Sequence, residues 1–272
     1  MTREEAEQIL ADAGDALDSK FPLLHAAVAC AIHDYPFRDP APAYALAEAA
    51  ASSLSERLAR DESPDEALAE TLSGELRLNG DLLTFDDPAN TDVLDVADRR
   101  RGISATLGVF YLHAARRSGL RADGVDFPNH FLLRVETEEG PVAIDPFSQG
   151  RLVLPSELSR RALRAGLTPD VADRLEALMA PVSDRQVLIR LQNTLFARAL
   201  NARDYEAAER SAVRRALLDP NDHRPWLDVA AAREKQGALT GALEALNKAQ
   251  QLDGGAAVAA RAVRDRVRMR LN

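Results

Sequence analysis

A serine, a histidine and an aspartate stand along this chain in an order that acid/base chemistry on an acyl group could use. Ser104 lies in Gly102-Ile103-Ser104 at the head of an apolar stretch ending at Gly119, His130 opens "HFLLRVE", and Asp145 closes "PVAID". If the last two segments pair antiparallel, one register sets His130 directly opposite Asp145 and another sets them diagonally, with Cα atoms roughly 7 to 8 Å apart. Both registers keep the two side chains on one face. A carboxylate there accepts the imidazole Nδ1–H, fixes its tautomer and supports the charged ring, the orienting role in an acyl-transfer triad. The nucleophile's place is the start of the helix at Ser104, where free N–H groups and the helix dipole stabilise an anion and activate a thiol. A serine hydroxyl gains far less there and depends on a base at hydrogen-bond distance.

The elements that must position these residues are legible in the periodicity. Residues 4 to about 78 read as helices: in "FPLLHAAVACAIHDY" Leu24, Ala27, Val28, Ala31 and Ile32 share one face, and Ser63 and Pro64 are placed as N-cap and N1 of a later helix. Asn79-Gly80 and Asp87-Pro88 mark turns, so the stretch between residues 77 and 92 reads as a loop. "VLDVAD" predicts a short helix and "GISATLGVFYLHAARRSG" a longer one, with Ile103, Leu107, Phe110, Tyr111 and Ala114 on a single stripe and Gly119 as its stop. The period then changes to two: "HFLLRVE" and "PVAID" flank "TEEG" as a β-hairpin, with "RADGVDF" as a neighbouring strand. The segment from Phe147 to Asp184 alternates short helices with breaks and reads in part as a linker.

From about Arg185 the chain is helical and self-similar. Tyr205 matches Leu239, Ala208 matches Ala242 and Leu218 matches Leu252, each 34 positions apart, which is the tetratricopeptide period. Trp226, Ala242 and Ala249 fill the large and small positions of such a repeat, Gln192 stands where the first copy would have its tryptophan, and "AAVAARAVRDRVRMRL" predicts a terminal helix. The expected fold is therefore α+β over residues 1–180, a helical N-terminal bundle and a core with a small antiparallel sheet, followed over 181–272 by an all-α tetratricopeptide-type repeat region.

The order of nucleophile helix, histidine strand and aspartate strand resembles the transglutaminase-like superfamily of papain-type topology. More closely, "DVADRRRGISATLGVFYLHAARRSGL", "GVDFPNHFLLRV" and "IDPFSQGRL", followed by the repeats, resemble the bacterial invasion-regulator B family of transglutaminase-like proteins. The resemblance covers nearly the whole chain. It implies that Gly102-Ile103-Ser104 occupies the place of Gly-x-Cys in active superfamily members, and that His130 and Asp145 match the catalytic pair. The cysteine is absent at 104, and Cys30 lies in the wrong segment to replace it. The implied function is a catalytically degenerate domain acting, with its repeats, as a protein-interaction or regulatory module. The alternative is an acyl hydrolase or protease with Ser104 as nucleophile, His130 as base and Asp145 as orienter.

Arg99, Arg100 and Arg101 precede the helix at Ser104 and oppose its dipole by a few tenths of a kcal/mol each. Two expectations stay open for them: pairing with Asp92, Asp95 and Asp98, or anchoring an anionic group of a peptide or other partner in the old cleft. The formal charge of −9 and isoelectric point near 5.2 disfavour a general nucleic-acid or anionic-membrane surface. No apolar run reaches the roughly 18 residues of a membrane span, and no secretory signal is visible. A single cysteine fits a reducing compartment, so the cytoplasm is the expected location. His25, His33 and His113 lack ligand-like spacing, and no glycine-rich phosphate motif is present, so neither metal nor cofactor is expected. Partners are expected to be proteins or peptides, held in the repeat groove or the cleft; the oligomeric state is not legible.

Overall fold

A computed structural model describes residues 1–252 together with 264 and 265. The terminal helix expected at "AAVAARAVRDRVRMRL" lies outside the described residues, apart from those two. In chain order the elements are α1 (Arg3–Asp15), α2 (Leu23–Asp34), α3 (Ala41–Leu58), α4 (Pro64–Ala69), β1 (Asn79–Gly80), α5 (Val93–Arg99), β2 (Arg101–Gly102) and α6 (Ser104–Arg117). Then follow β3 (Ala122–Phe127), β4 (His130–Thr137), β5 (Gly140–Asp145), β6 (Arg151–Val153), α7 (Pro155–Arg164), α8 (Pro169–Ala172) and α9 (Leu175–Leu178). The series closes with α10 (Asp184–Ala202), α11 (Tyr205–Leu218), α12 (Arg224–Gln236) and α13 (Leu239–Leu252). They form two compact units: Pro22–Ala31 with Asp39–Leu188, and Met1–Phe21 with Ile32–Arg38 and the chain from Ile189 onward.

The first unit is built on a four-stranded antiparallel sheet in the order β3-β4-β5-β6. Phe127 pairs with His130, so Pro128-Asn129 is a two-residue turn, with Asn129 at φ 56° in the left-handed region. Pro at the first turn position and Asn at the second meet what a type II turn asks of each. In the β4–β5 pairing Leu133 stands opposite Ile144, the register that places His130 and Asp145 diagonally on one face. That face packs Val125, Phe127, Leu132, Ala143 and Val153 under Leu158, Ala162 and Ala172 of α7 and α8. The segment expected in part as a linker is thus one wall of the core, because its leucines and alanines cover apolar sheet that would otherwise meet water.

Helix α6 meets the sheet through Gly108, where an added Cβ would come within 2.3 Å of the Phe131 ring. The single apolar stripe read from the sequence understates this helix. It is buried from Ser104 through Leu112, and again at Ala114 and Ala115, because small residues on its other sides admit close neighbours. The loop expected between residues 77 and 92 contains a short parallel pairing of β1 with β2, Asn79 opposite Arg101 and Gly80 opposite Gly102. Helix α5 is started by Asp92, whose carboxylate accepts the N–H groups of Leu94 and Asp95, and ended by Arg100 at φ 59°.

In the second unit α1 is started by a capping box, Thr2 accepting the Glu5 N–H while the Thr2 N–H donates to Glu5. Gly14 lets α1 approach α11 so closely that a Cβ would meet the Leu217 carbonyl oxygen. Helices α11, α12 and α13 pack on one another in succession around Ala212, Val229, Ala230, Ala245 and Leu246. Arg214 is fully buried and donates to Gln192 at 2.6 Å and to Ser211 at 3.1 Å, and pairs with Asp34 at 2.9 Å, which also accepts from Arg210 at 2.8 Å. Whereas the sequence suggested one cut near residue 180, the units are discontinuous: α1 and the residues around Asp34 belong with α11, where two arginines need a counter-charge.

Candidate functional site

His130 is the first residue after the Pro128-Asn129 turn and Asp145 the last of β5. The His130 Nε2–H donates to Asp145 Oδ1 at 2.8 Å. The sequence reading assigned this bond to Nδ1; the structure assigns it to Nε2. An ionised carboxylate only accepts, so the neutral ring carries its proton on Nε2 and its basic lone pair on Nδ1.

Asp145 has no exposed surface and is held by more than the histidine. Its Oδ1 also accepts the N–H groups of Phe147 at 3.1 Å and Ser148 at 3.3 Å, and its Oδ2 accepts the Ser148 hydroxyl at 2.9 Å and Arg161 at 2.8 Å. Burial by itself would raise the Asp145 carboxyl; the hydrogen bond and charge of His130, then those of Arg161, outweigh it and hold the group below the usual carboxylate range. Tyr111 of α6 is pushed upward, by burial first and by the Asp145 charge second.

Ser104, the first residue of α6, is 8% exposed. Its oxygen accepts the backbone N–H of Phe131 at 3.3 Å. That nitrogen is bonded to the carbonyl carbon of His130, so Ser104 meets the peptide that joins His130 to Phe131. Ser104 reaches the strand bearing the imidazole through this backbone contact.

The three arginines separate. Arg99 pairs with Asp81 at 3.2 Å and Asp87 at 3.3 Å, not with the Asp92, Asp95 and Asp98 offered to the three arginines by the sequence reading, whereas Arg100 feels the charge of Asp98. Asp92 is occupied as the α5 cap, so Arg99 instead clamps the loop between β1 and α5. Arg100 is half-buried, and its Nη1 has, among the described residues, no hydrogen-bond partner; Arg101 is exposed on β2. The clamped loop is also tied by Asp81, whose carboxylate accepts from Leu83 N, Thr84 N and Thr84 Oγ. These bonds, the Thr84 hydroxyl and backbone foremost, draw Asp81 down to about 2. Phe85 of this loop meets Phe147 edge to face at 5.8 Å between centroids, and Phe147 meets the His130 ring likewise at 6.3 Å.

Sequence reasoning missed Arg161 and Ser148, and read the loop without relating it to the site. Arg161 carried one signal, a Glu157 four residues earlier on the same helix, but that spacing is common on solvated helices and names no partner outside them. Among the described residues no group of three or more His, Cys, Asp or Glu side chains is placed to hold a metal, and no helix is long and apolar enough to cross a membrane.

The site thus consists of a buried carboxylate bonded to a strand histidine, next to the strand residue whose N–H is held by Ser104 at the start of a buried helix. The sequence profile of the transglutaminase-like superfamily matches residues 43–193, and the chain belongs to that superfamily. It is similar to two proteins of Xylella fastidiosa, each called UPF0162 protein, with 36% identity over 169 residues in one strain and 34% over 168 in another. The matched part is 61% of this chain and 59% of each relative, so it spans less than two thirds of their length. A further similarity is to F-box only protein 21 of the mouse, 30% identical over 100 residues, which is 34% of this chain and 16% of that protein. No solved structure matches significantly.

Proposed function

We propose that this chain is a catalytically degenerate transglutaminase-like protein of the invasion-regulator B type, acting as a protein-interaction or regulatory module. The observation that carries the reading is at position 104. A serine replaces the cysteine of active relatives, and its largely buried oxygen is engaged with the Phe131 N–H. The sharing of Asp145 with Arg161 supports it further, since a carboxylate whose charge is already matched gives less support to an imidazolium. The similarity of one short segment to part of a much longer F-box protein is consistent with a domain used as a module.

A tetratricopeptide array fits the second unit. Helices α11 and α13 are each 14 residues long and start 34 residues apart, at Tyr205 and Leu239, and Ala208 and Ala242 are both fully buried at matching positions. The protein partner would bind there or at the old cleft, where Arg101 is exposed and Arg100 has an Nη1 without a hydrogen-bond partner among the described residues. The buried, single Cys30 supports a reducing, cytoplasmic location.

The test is turnover. Purified protein is assayed against glutamine-donor peptides with a primary amine, and against ester and peptide substrates, beside Ser104→Ala. No Ser104-dependent turnover is expected. Activity lost in Ser104→Ala would establish the second reading, a serine acyl hydrolase, which the His130–Asp145 hydrogen bond and the contact of Ser104 with the next residue, Phe131, favour. Partner capture that disappears in an Arg100→Gln/Arg101→Gln variant is expected if the cleft is the docking site.

A further inference from the structure

The Asp145 carboxylate faces two basic side chains, one through each oxygen. Oδ1 accepts from His130 on β4 and Oδ2 from Arg161 on α7, both at 2.8 Å. Arg161 is itself fixed one turn back by Glu157, through Nε at 3.0 Å and Nη2 at 2.8 Å, and Glu157 also binds Arg151 of β6. A buried carboxylate needs a cationic partner. Of the two on offer, only the guanidinium is charged at every physiological pH. Asp145 and Glu157 are matched by Arg161 and Arg151, two permanent positive charges for two carboxylates, and the imidazole adds an Nε2–H to Oδ1.

Other titratable groups lie near the ring. Tyr111 on α6 is buried and held neutral. Asp126 on β3 stands one residue from Phe127, the register partner of His130. Asp81 and Asp87 each pair with Arg99, in the loop that presents Phe85 to Phe147.

We propose that Arg161 is a positioning residue of the His130–Asp145 pair. It occupies Oδ2 so that Oδ1 is turned to His130, and it supplies the counter-charge the imidazole would otherwise provide. The proposal rests on the reading above, in which the pair no longer drives a nucleophile, but its test needs no catalysis: Ser104-dependent turnover would end that reading and leave this assignment standing.

The test is the titration of the His130 ring in the full chain labelled with 15N-histidine, its signals assigned with His130→Gln. In Arg161→Met the midpoint is expected to rise by about one pH unit, because Asp145 is left with the imidazole as its cationic partner. In Arg161→Lys, which keeps the charge, it is expected to return to within about 0.3 unit of the unsubstituted protein. A ring that titrates unchanged in Arg161→Met while the protein merely melts earlier would overturn the proposal and leave Arg161 a brace for α7. Should Arg161→Met not fold, Glu157→Gln serves: one negative charge fewer beside Arg161 lowers the midpoint, and an unmoved ring overturns the proposal.

Discussion

The N–H of Phe131 donates to the hydroxyl oxygen of Ser104 at 3.3 Å, tying the first residue of α6 to the strand that begins with His130. Removing the hydroxyl leaves a buried backbone donor without this partner, which costs about 1 to 2 kcal/mol. Ser104→Ala is therefore expected to unfold at a lower urea midpoint with an unchanged m-value. A midpoint identical to that of the parent would mean the hydroxyl is not a tie between helix and strand.

Gly108 brings α6 onto Phe131 with no room for a methyl group. Gly108→Ala ordinarily stabilises a helix through propensity. Here overpacking dominates, and a net loss of about 1 to 3 kcal/mol is expected by chemical denaturation. An increase in stability would show that the helix can retreat from the sheet freely.

His33 predicts an acid-labile second unit. Its Nε2 faces Glu7 at 3.1 Å and its Nδ1 faces Arg214 at 3.4 Å. Arginine only donates and a carboxylate only accepts, so the ring is neutral with its proton on Nε2. Burial first, and the Arg214 charge second, press its pKa from 6.5 down to about 3. Between those values the unfolded chain binds the extra proton, so stability from this group is complete above 6.5 and falls as pH is lowered. The slope is at most about 1.4 kcal/mol per pH unit. A loss of about 2 kcal/mol between pH 7 and pH 5 is expected, and His33→Gln, which keeps a donor and an acceptor but does not titrate, should flatten it. An equally steep fall in His33→Gln would place the acid sensitivity elsewhere.

The loop between β1 and α5 separates two kinds of residue. Asp81 is buried and holds Leu83, Thr84 and Arg99, while the Leu83 side chain is 96% exposed. Asp81→Ala should speed amide hydrogen exchange at Leu83 and Thr84 at least tenfold, since it removes the acceptor of both. Leu83→Ser should change stability by less than about 0.5 kcal/mol. Equal effects from the two variants would contradict this division.

How much of this was legible in the sequence depended on whether the signal was local. The helix from Ser104, the hairpin of His130 and Asp145 and the strand before it followed from periodicity and turn residues, and the diagonal register was one of two that parity allows. What stayed hidden were partnerships across long separations. Arg161 and Asp145 are related only once α7 lies on the sheet. Arg99 could reach several aspartates, and the choice of Asp81 and Asp87 over Asp92 followed from a cap that claims Asp92. The same holds for Asp34, whose claim on Arg210 and Arg214 decides which helices form a unit, although no pattern in either segment announces it.

That last pairing also sets a schedule. Asp34 and Arg210 are 176 residues apart in the chain. At ribosomal speeds of about 5 to 20 residues per second, the acid emerges roughly 10 to 35 s before its arginine exists. Through that interval α1 and the end of α2 have no α11 to settle against, while every strand of the His130 sheet has already been made. The order of synthesis thus hands the sheet-bearing unit its complete set of parts first and leaves the earliest residues waiting for the last helices.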